Sequence, residues 1–257
     1  MTPLRTLKTA FLYPLRRHAH SHALGAGTLA RLCRFYIDWY ENIDPNGASN
    51  GEDALLARMA GSPFRVVFDV GANEGSWTET ALAAFPQASF HLFEPIPGLG
   101  ERLRQRFNGR RVAVSSAALS DHAGRATLHV GGSTTCVSSL HGTQGGVEIE
   151  VELVTGDGYC ERNGIERIDY LKIDAEGHDL AVLKGLGRMV RERRVAFIQF
   201  EHNEASVFSR TLLKDFVDFL GGGYRISKIM PYGLDPLAWT VQAERFRYGN
   251  YLAQPVA

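Results

Sequence analysis

With 257 residues, of which 44% are hydrophobic and 22% charged, the chain is large enough for one α/β domain with a sizeable core, or for such a domain plus an appendage. Its 28 basic and 28 acidic side chains cancel, which excludes any global attraction to nucleic acid or acidic polymers. Cys33, Cys136 and Cys160 are odd in number and form no C-x-x-C, so they predict free thiols in a reducing, cytoplasmic setting and exclude a disulfide framework or a cysteine zinc site.

Residues 1–60 read as an N-terminal helical arm or lid, and 61–257 as the ligand-binding domain. No apolar run approaches the ~20 residues that span a bilayer. Lys8, Pro14, Arg16 and Arg17 break up any signal-peptide core, and no acid precedes Asp38. Two readings of this segment stand open. It is either a basic, amphipathic contact with a membrane surface or targeting apparatus, or a flexible arm leading into a lid helix. The series His18, His20, His22 looks like a metal tract, although histidines in a flexible arm are more often incidental. Leu29, Leu32, Cys33, Phe35, Tyr36 and Trp39 recur at helical spacing and predict a helix from Gly27 to about Tyr40. Pro45 to Gly51 is a loop on turn chemistry, and Glu52–Met59 a short helix.

From Arg65 onward strands and helices alternate as in a doubly wound parallel sheet of α/β class. The predicted strands are Arg65–Val70, Ser89–Phe93, Val112–Leu119, Ile168–Ile173, Val195–Phe200, Arg225–Ile229 and Tyr248–Ala253. The predicted helices are about Trp77–Phe85, Leu99–Phe107, Asp179–Met189 and Thr211–Leu220. Ala126–Val130 and Val147–Leu153 alternate with period two, which predicts a half-exposed antiparallel hairpin inserted into the sheet domain. Their connector, Gly131 to Gly146, is rich in Gly, Ser and Thr and reads as a mobile substrate loop.

The first strand ends in Asp69 and breaks into Gly71-Ala72-Asn73-Glu74-Gly75 before a helix that contains Thr78. A strand, a glycine turn and a helix N-terminus form a ligand cradle, because glycine lets the backbone approach and helix N–H groups face the ligand. The second strand ends in Glu94, 25 positions beyond Asp69, where a carboxylate accepts hydrogen bonds from ribose hydroxyls. The pattern is G-x-x-x-G, not the G-x-G-x-x-G of a pyrophosphate site. That departure argues against NAD and for an adenosine ligand without a diphosphate, of which S-adenosylmethionine is the common example.

Ligands in open α/β sheets lie outside the carboxyl ends of the strands. The fourth strand ends in Asp174-Ala175-Glu176-Gly177-His178-Asp179, and the fifth in Glu201-His202. Such a concentration of titratable groups is costly to bury for packing alone. Plainer roles remain open: Asp174 as a helix cap, Glu176 and Asp179 as complements of the helix dipole, His178 as a solvated first-turn residue, and Lys172 as a structural ion-pair partner. Glu201 and His202 point to opposite faces if the strand continues, so one of them at most faces the cleft.

Five segments stand in register: Phe68–Gly75, Phe93-Glu94-Pro95, Ala118–Gly124, Lys172–Gly177 with Val182-Leu183-Lys184-Gly185, and Phe200-Glu201-His202. In this order and spacing, from about Val66 to Phe200, the chain resembles the FkbM-type S-adenosylmethionine-dependent methyltransferases. The resemblance implies a class I, Rossmann-like fold with a seven-stranded sheet, and O-methylation of sugars, glycans or polyketide-like molecules. Asp179 departs from the family pattern, which has Glu there. The resemblance implies that Asp69, Gly71, Ala72, Asn73, Gly75 and Thr78 cradle the cofactor. Glu94 and Pro95 would hold its ribose, Ala118, Leu119 and Ser120 would flank the adenine, and Asp174 would lie near the methyl group. A sugar hydroxyl is a poor nucleophile, so either His202 or His178 acts as base with Asp174 and Glu201 nearby, or Asp174, Glu201 and His202 bind Mg²⁺. Two rival readings are a nucleotide-dependent oxidoreductase and a non-catalytic scaffold that binds an adenosyl ligand.

Overall fold

The computed structural model describes residues 3–21, 25–131, 138–141 and 147–256. They divide into two compact units, Met1–Asp44 and Pro45–Ala257. The first holds α1 (Pro3–His20) and α2 (Ala26–Tyr40). The expected flexible arm is therefore helical, with Pro14 inside α1 and His18 and His20 in its last turn; His22 lies outside the described residues. Among the described residues, no helix is long and apolar enough to cross a membrane.

The second unit begins with α3 (Gly47–Asn50) and α4 (Glu52–Met59). Next come β1 (Val66–Val70), α5 (Ser76–Ala84), β2 (Ser89–Phe93), α6 (Pro97–Arg106) and β3 (Val112–Ser115). An inserted layer follows: β4 (Ala118–Ser120), β5 (Gly124–Val130), β6 (Ser138–Ser139) and β7 (Val147–Thr155). The chain then returns through α7 (Gly156–Arg162), β8 (Ile168–Ile173), α8 (Asp179–Gly185), α9 (Gly187–Arg191) and β9 (Val195–Glu201). It finishes with α10 (Ser206–Ser209), α11 (Leu213–Leu220), β10 (Tyr224–Met230), β11 (Gly233–Pro236) and β12 (Asn250–Pro255).

The main sheet has the order β11-β10-β12-β9-β8-β1-β2-β3. Its centre is parallel from β3 to β9, and β12 enters antiparallel between β9 and β10. This is the doubly wound, Rossmann-like arrangement expected from the sequence, with one strand beyond the expected seven. The extra strand, β11, forms an edge hairpin with β10. Its residues Gly233-Leu234-Asp235-Pro236 carry little strand signal, and an edge position tolerates the proline.

A second correction concerns Val112–Leu119, expected as one strand. It breaks at Ser116-Ala117: β3 stays in the main sheet, while β4 pairs parallel with β7 in the inserted sheet. The expected hairpin is present as β5 and β7, with Ala126 opposite Val151. Its connector falls largely on residues 132–137 and 142–146, outside those described, as does Cys136; Cys33 and Cys160 are free thiols. The helix expected over Asp179–Met189 divides at Leu186, between Gly185 and Gly187, into α8 and α9.

Alternating strand residues feed separate cores on the two faces of the sheet. Phe68, Leu171, Ile198 and Phe200 pack against α8, α9 and α11 on one face, and Phe200 stacks on Phe216 at 4.4 Å. Val67, Tyr170, Phe90 and Leu252 pack with Leu56, Ala81 and Leu103 on the other. The strand ends that carry polar groups are thus held by two packed layers.

Candidate active site

At the carboxyl edge of the sheet lies a solvent-connected cleft. Its floor is Val70, Gly71 and Asn73, from the end of β1. Phe93, Glu94, Pro95 and Ile96, after β2, form one wall, and Asp174, Ala175, Glu176 and His178, after β8, form the other. The inserted sheet closes it with Ala118, Leu119 and Leu128, joined by Leu140 just after β6.

Gly71 makes this geometry possible. Its φ is +78°, and a Cβ there would stand 1.9 Å from the Asp174 carbonyl oxygen, so only glycine lets the β1 turn lie against the end of β8. The N–H groups of Gly71 and Ala72 both donate to the Phe93 carbonyl oxygen, at 3.0 and 3.2 Å. Glu94 ties the two strand ends together. Its Oε2 accepts the Asn73 N–H at 2.8 Å and its Oε1 the Ile96 N–H at 2.9 Å. Each oxygen keeps a second lone pair, so the buried carboxylate can still accept two hydroxyl protons from a diol. Burial raises the Glu94 pKa against those two hydrogen bonds, which lower it.

Other residues expected to touch the ligand support the cradle from beneath and are not among the cleft-lining residues. Asp69 is fully buried: its Oδ2 accepts the Thr78 hydroxyl at 2.5 Å, and its Oδ1 lies 3.5 Å from Lys172 Nζ. Thr78 is equally buried, Ala72 belongs to the core, and the Cβ direction of Gly75 points at Phe107 and Leu103. Ser120 is buried beneath the wall, with its Oγ 3.0 Å from His178 Nε2.

The acidic edge is organised around Lys172, whose Nζ lies 3.2 Å from Asp174 Oδ2 and 5.8 Å from the centre of the Trp77 ring. Burial would lower its pKa, but Asp174, Asp69 and Glu52 more than offset this and hold it above the usual lysine value. Glu52 carried no signal in the sequence beyond a helix start. It is nonetheless buried, and its carboxylate accepts from Asn50 at 2.7 Å, Asn250 at 2.9 Å and Gln199 at 2.6 Å.

Glu176 lines the cleft with φ +49°, a left-handed conformation uncommon outside glycine. Its carbonyl oxygen accepts the Ser139 hydroxyl at 2.9 Å, and Gly177 follows at φ +89° against the Ala205 backbone. Burial, then the charges of Asp174 and Asp179, push its carboxyl pKa up to about 8. The same two causes, burial and Asp174, push Asp179 up to about 7. Sequence spacing marks Glu176 only as a dipole partner, and the glycine beside it is the sole sign of a turn at the cleft.

The expected histidines sit differently. His202 is 2% exposed, with its ring against Phe246 at 5.5 Å and Phe216 at 6.3 Å and its Nε2 3.4 Å from the Thr211 carbonyl oxygen. The backbone continues β9 by donating the His202 N–H to Gly249 O, which turns the ring into the core and away from the cleft. His178 does line the cleft, but both ring nitrogens are engaged, Nδ1 with His141 Nε2 at 3.0 Å and Nε2 with Ser120 Oγ. Burial, then His141, brings its pKa down to about 4, so it stays neutral. Glu201 accepts from Asn203, its backbone N–H donates to Asp179, and it is not among the lining residues.

The proposed magnesium ligands do not converge. His202 faces the core, Asp174 is engaged by an ammonium, and among the described residues no group of three Asp, Glu, His or Cys side chains is placed to hold a metal ion. This donor set does not fit Mg²⁺.

Comparison with known proteins gives a concordant result. The family profile described as "Methyltransferase FkbM domain" matches residues 69–226, more than half of the chain. The 2-O-methyltransferase NoeI of Sinorhizobium fredii is 27% identical over 215 residues, covering 77% of this chain and 88% of that protein. The 31-O-demethyl-FK506 methyltransferase FkbM of Streptomyces tacrolimicus is 31% identical over 156 residues, 48% of this chain and 60% of that protein. The hexuronic acid methyltransferase AglP of Haloferax volcanii is 25% identical over 121 residues, 47% and 49% of the two chains.

Proposed function

Because the chain belongs to the FkbM methyltransferase family, we propose that its cleft binds S-adenosylmethionine and transfers the methyl group to a hydroxyl of a sugar, glycan or polyketide-like acceptor. The observation that carries this reading is the cradle in which Gly71 and Glu94 meet beside an acidic wall. One of the similar proteins is named a 2-O-methyltransferase, a second the methyltransferase of a 31-O-demethyl compound and a third that of a hexuronic acid, which supports an oxygen acceptor.

The residues present fit this cofactor. Glu94 would take the ribose hydroxyls, Leu119 and Ile96 would cover the adenine, and Asn73 with the Gly71 turn would receive the amino-acid end. Asp174, on the wall it shares with Glu176, would face the sulfonium. When bound, S-adenosylmethionine supplies an activated methyl group and leaves as a neutral thioether. The protein's part is therefore alignment and proton removal, and alignment contributes most.

Glu176 is our candidate base in place of His202. It faces the cleft, its backbone is pinned by Ser139, and its raised pKa suits proton abstraction near neutrality. As the acceptor oxygen bonds to the methyl carbon, the hydroxyl proton passes to the Glu176 carboxylate. His178, neutral and doubly hydrogen-bonded, positions the loop.

Glu176→Gln should lower kcat by about 100-fold, within the range for loss of a general base, and leave the affinity for S-adenosylhomocysteine nearly unchanged. Wild-type turnover should rise with pH toward 8 as Glu176 ionises, and the variant should lose that limb. An unchanged pH profile in the variant would remove Glu176 from the mechanism.

Stability should move the opposite way. A carboxyl whose folded pKa lies above its unfolded value weakens the fold as pH rises from about 4.5 to about 8. Denaturant titrations above pH 8 should therefore find Glu176→Gln more stable than wild type.

A further inference from the structure

Helix α2 is divided cleanly by its side chains. At 100° per residue, Leu29, Leu32, Cys33, Phe35, Tyr36, Ile37, Trp39 and Tyr40 occupy one continuous face, while Arg31, Arg34 and Asp38 share the other. None of its 15 residues is buried, and Trp39, Tyr40 and Tyr36 are 78%, 75% and 69% exposed. Globular proteins rarely leave so contiguous an apolar and aromatic face uncovered unless it binds something.

Charge indicates what covers it. The first 37 residues hold six of the chain's Lys and Arg and none of its acids, so this segment carries a formal +6 and the remaining residues −6. Arg16 and Arg17 lie in the last turns of α1, beside exposed Leu12, Tyr13 and Leu15. Tryptophan and tyrosine favour the boundary between lipid headgroups and acyl chains, and clustered cations favour anionic headgroups. A helix with such an apolar face and a sparse, basic opposite face lies in the plane of that boundary. A protein groove would bury Leu29 and Leu32 equally well but would give no reason for six basic residues against the single acid Asp38 in residues 1–40.

We propose that α2, together with the basic segment before it, docks the protein on an anionic lipid surface. The proposal is independent of the methyl acceptor and of the base.

The test is co-sedimentation of the full chain with phosphatidylcholine vesicles, with and without phosphatidylglycerol. At least about tenfold more protein should bind the anionic vesicles, because each cation near such a surface adds favourable energy, and added salt should reverse this by screening. Leu32→Glu with Tyr36→Glu should abolish vesicle binding without lowering the unfolding temperature, since both residues are exposed. Arg31→Glu with Arg34→Glu should remove the preference for anionic lipid. Absence of binding, equal binding to both vesicles, or binding that survives Leu32→Glu with Tyr36→Glu would overturn the proposal. Light scattering that shows the apolar-face variant losing a dimer, with no vesicle binding in the wild type, would overturn it too and assign the face to a second copy.

Discussion

Gly71→Ala should cost the protein its cofactor. A left-handed φ of +78° already disfavours alanine by about 1–2 kcal/mol. The added Cβ would also meet the Asp174 carbonyl oxygen at 1.9 Å, and that atom is backbone, so no side chain can swing aside. Relief requires the β1 turn to draw away from the end of β8, and these are the floor and one wall of the cleft. We expect S-adenosylhomocysteine affinity to fall by at least about 100-fold, or some 2.7 kcal/mol, in calorimetric titration. Gly75→Ala is the matched control. Its φ is also positive, at +81°, but its Cβ would meet the side chains of Phe107 and Leu103, on the side away from the cleft. That variant should lose stability and keep most of its affinity. Equal affinities in wild type and Gly71→Ala would mean that the turn does not shape the binding site.

Lys172→Met should be the most destabilising single change to the acidic edge. The ammonium stands 3.5 Å from Asp69 Oδ1 and 3.2 Å from Asp174 Oδ2, and Asp69 has no exposure to water. Removing one member of a buried pair leaves an uncompensated charge and typically costs about 3–5 kcal/mol. The pH dependence separates this cause from lost packing. Burial holds the Asp69 pKa above its ordinary value even with Lys172 in place, and it rises further without the ammonium. A raised carboxyl pKa destabilises at high pH, and the penalty fades as pH falls and the group protonates. The loss measured by urea denaturation should therefore be largest near pH 8 and shrink toward pH 5. A loss that stays constant across that range would assign Lys172 a packing role.

These two residues illustrate what the sequence makes legible. Gly71 and Glu94 are readable because they stand where apolar runs stop, and in a parallel sheet those stops share one edge. The inserted hairpin is readable because Val147 to Leu153 alternates without a break. Lys172 is visible as a charge inside an apolar strand, yet its links to Asp69, Asp174 and Glu52 depend on three elements brought together by the sheet order.

His202 shows where such reading fails. Its place after β9 suggested the cleft, but the direction of its side chain is set by one backbone hydrogen bond to Gly249, far along the chain. Glu176 fails in the opposite sense: a positive φ at a non-glycine residue cannot be read from spacing, and this residue lines the cleft. The edge strand β11 escaped because hairpin pairing, not hydrophobic pattern, holds Gly233–Pro236 in place.

The most direct test is a crystal structure of the protein grown with S-adenosylhomocysteine. Electron density with the ribose on Glu94, the adenine against Leu119, and the thioether facing Asp174 and Glu176 is the predicted result. Density for that molecule at any other place, or none at a saturating concentration, would contradict the assignment of this cleft.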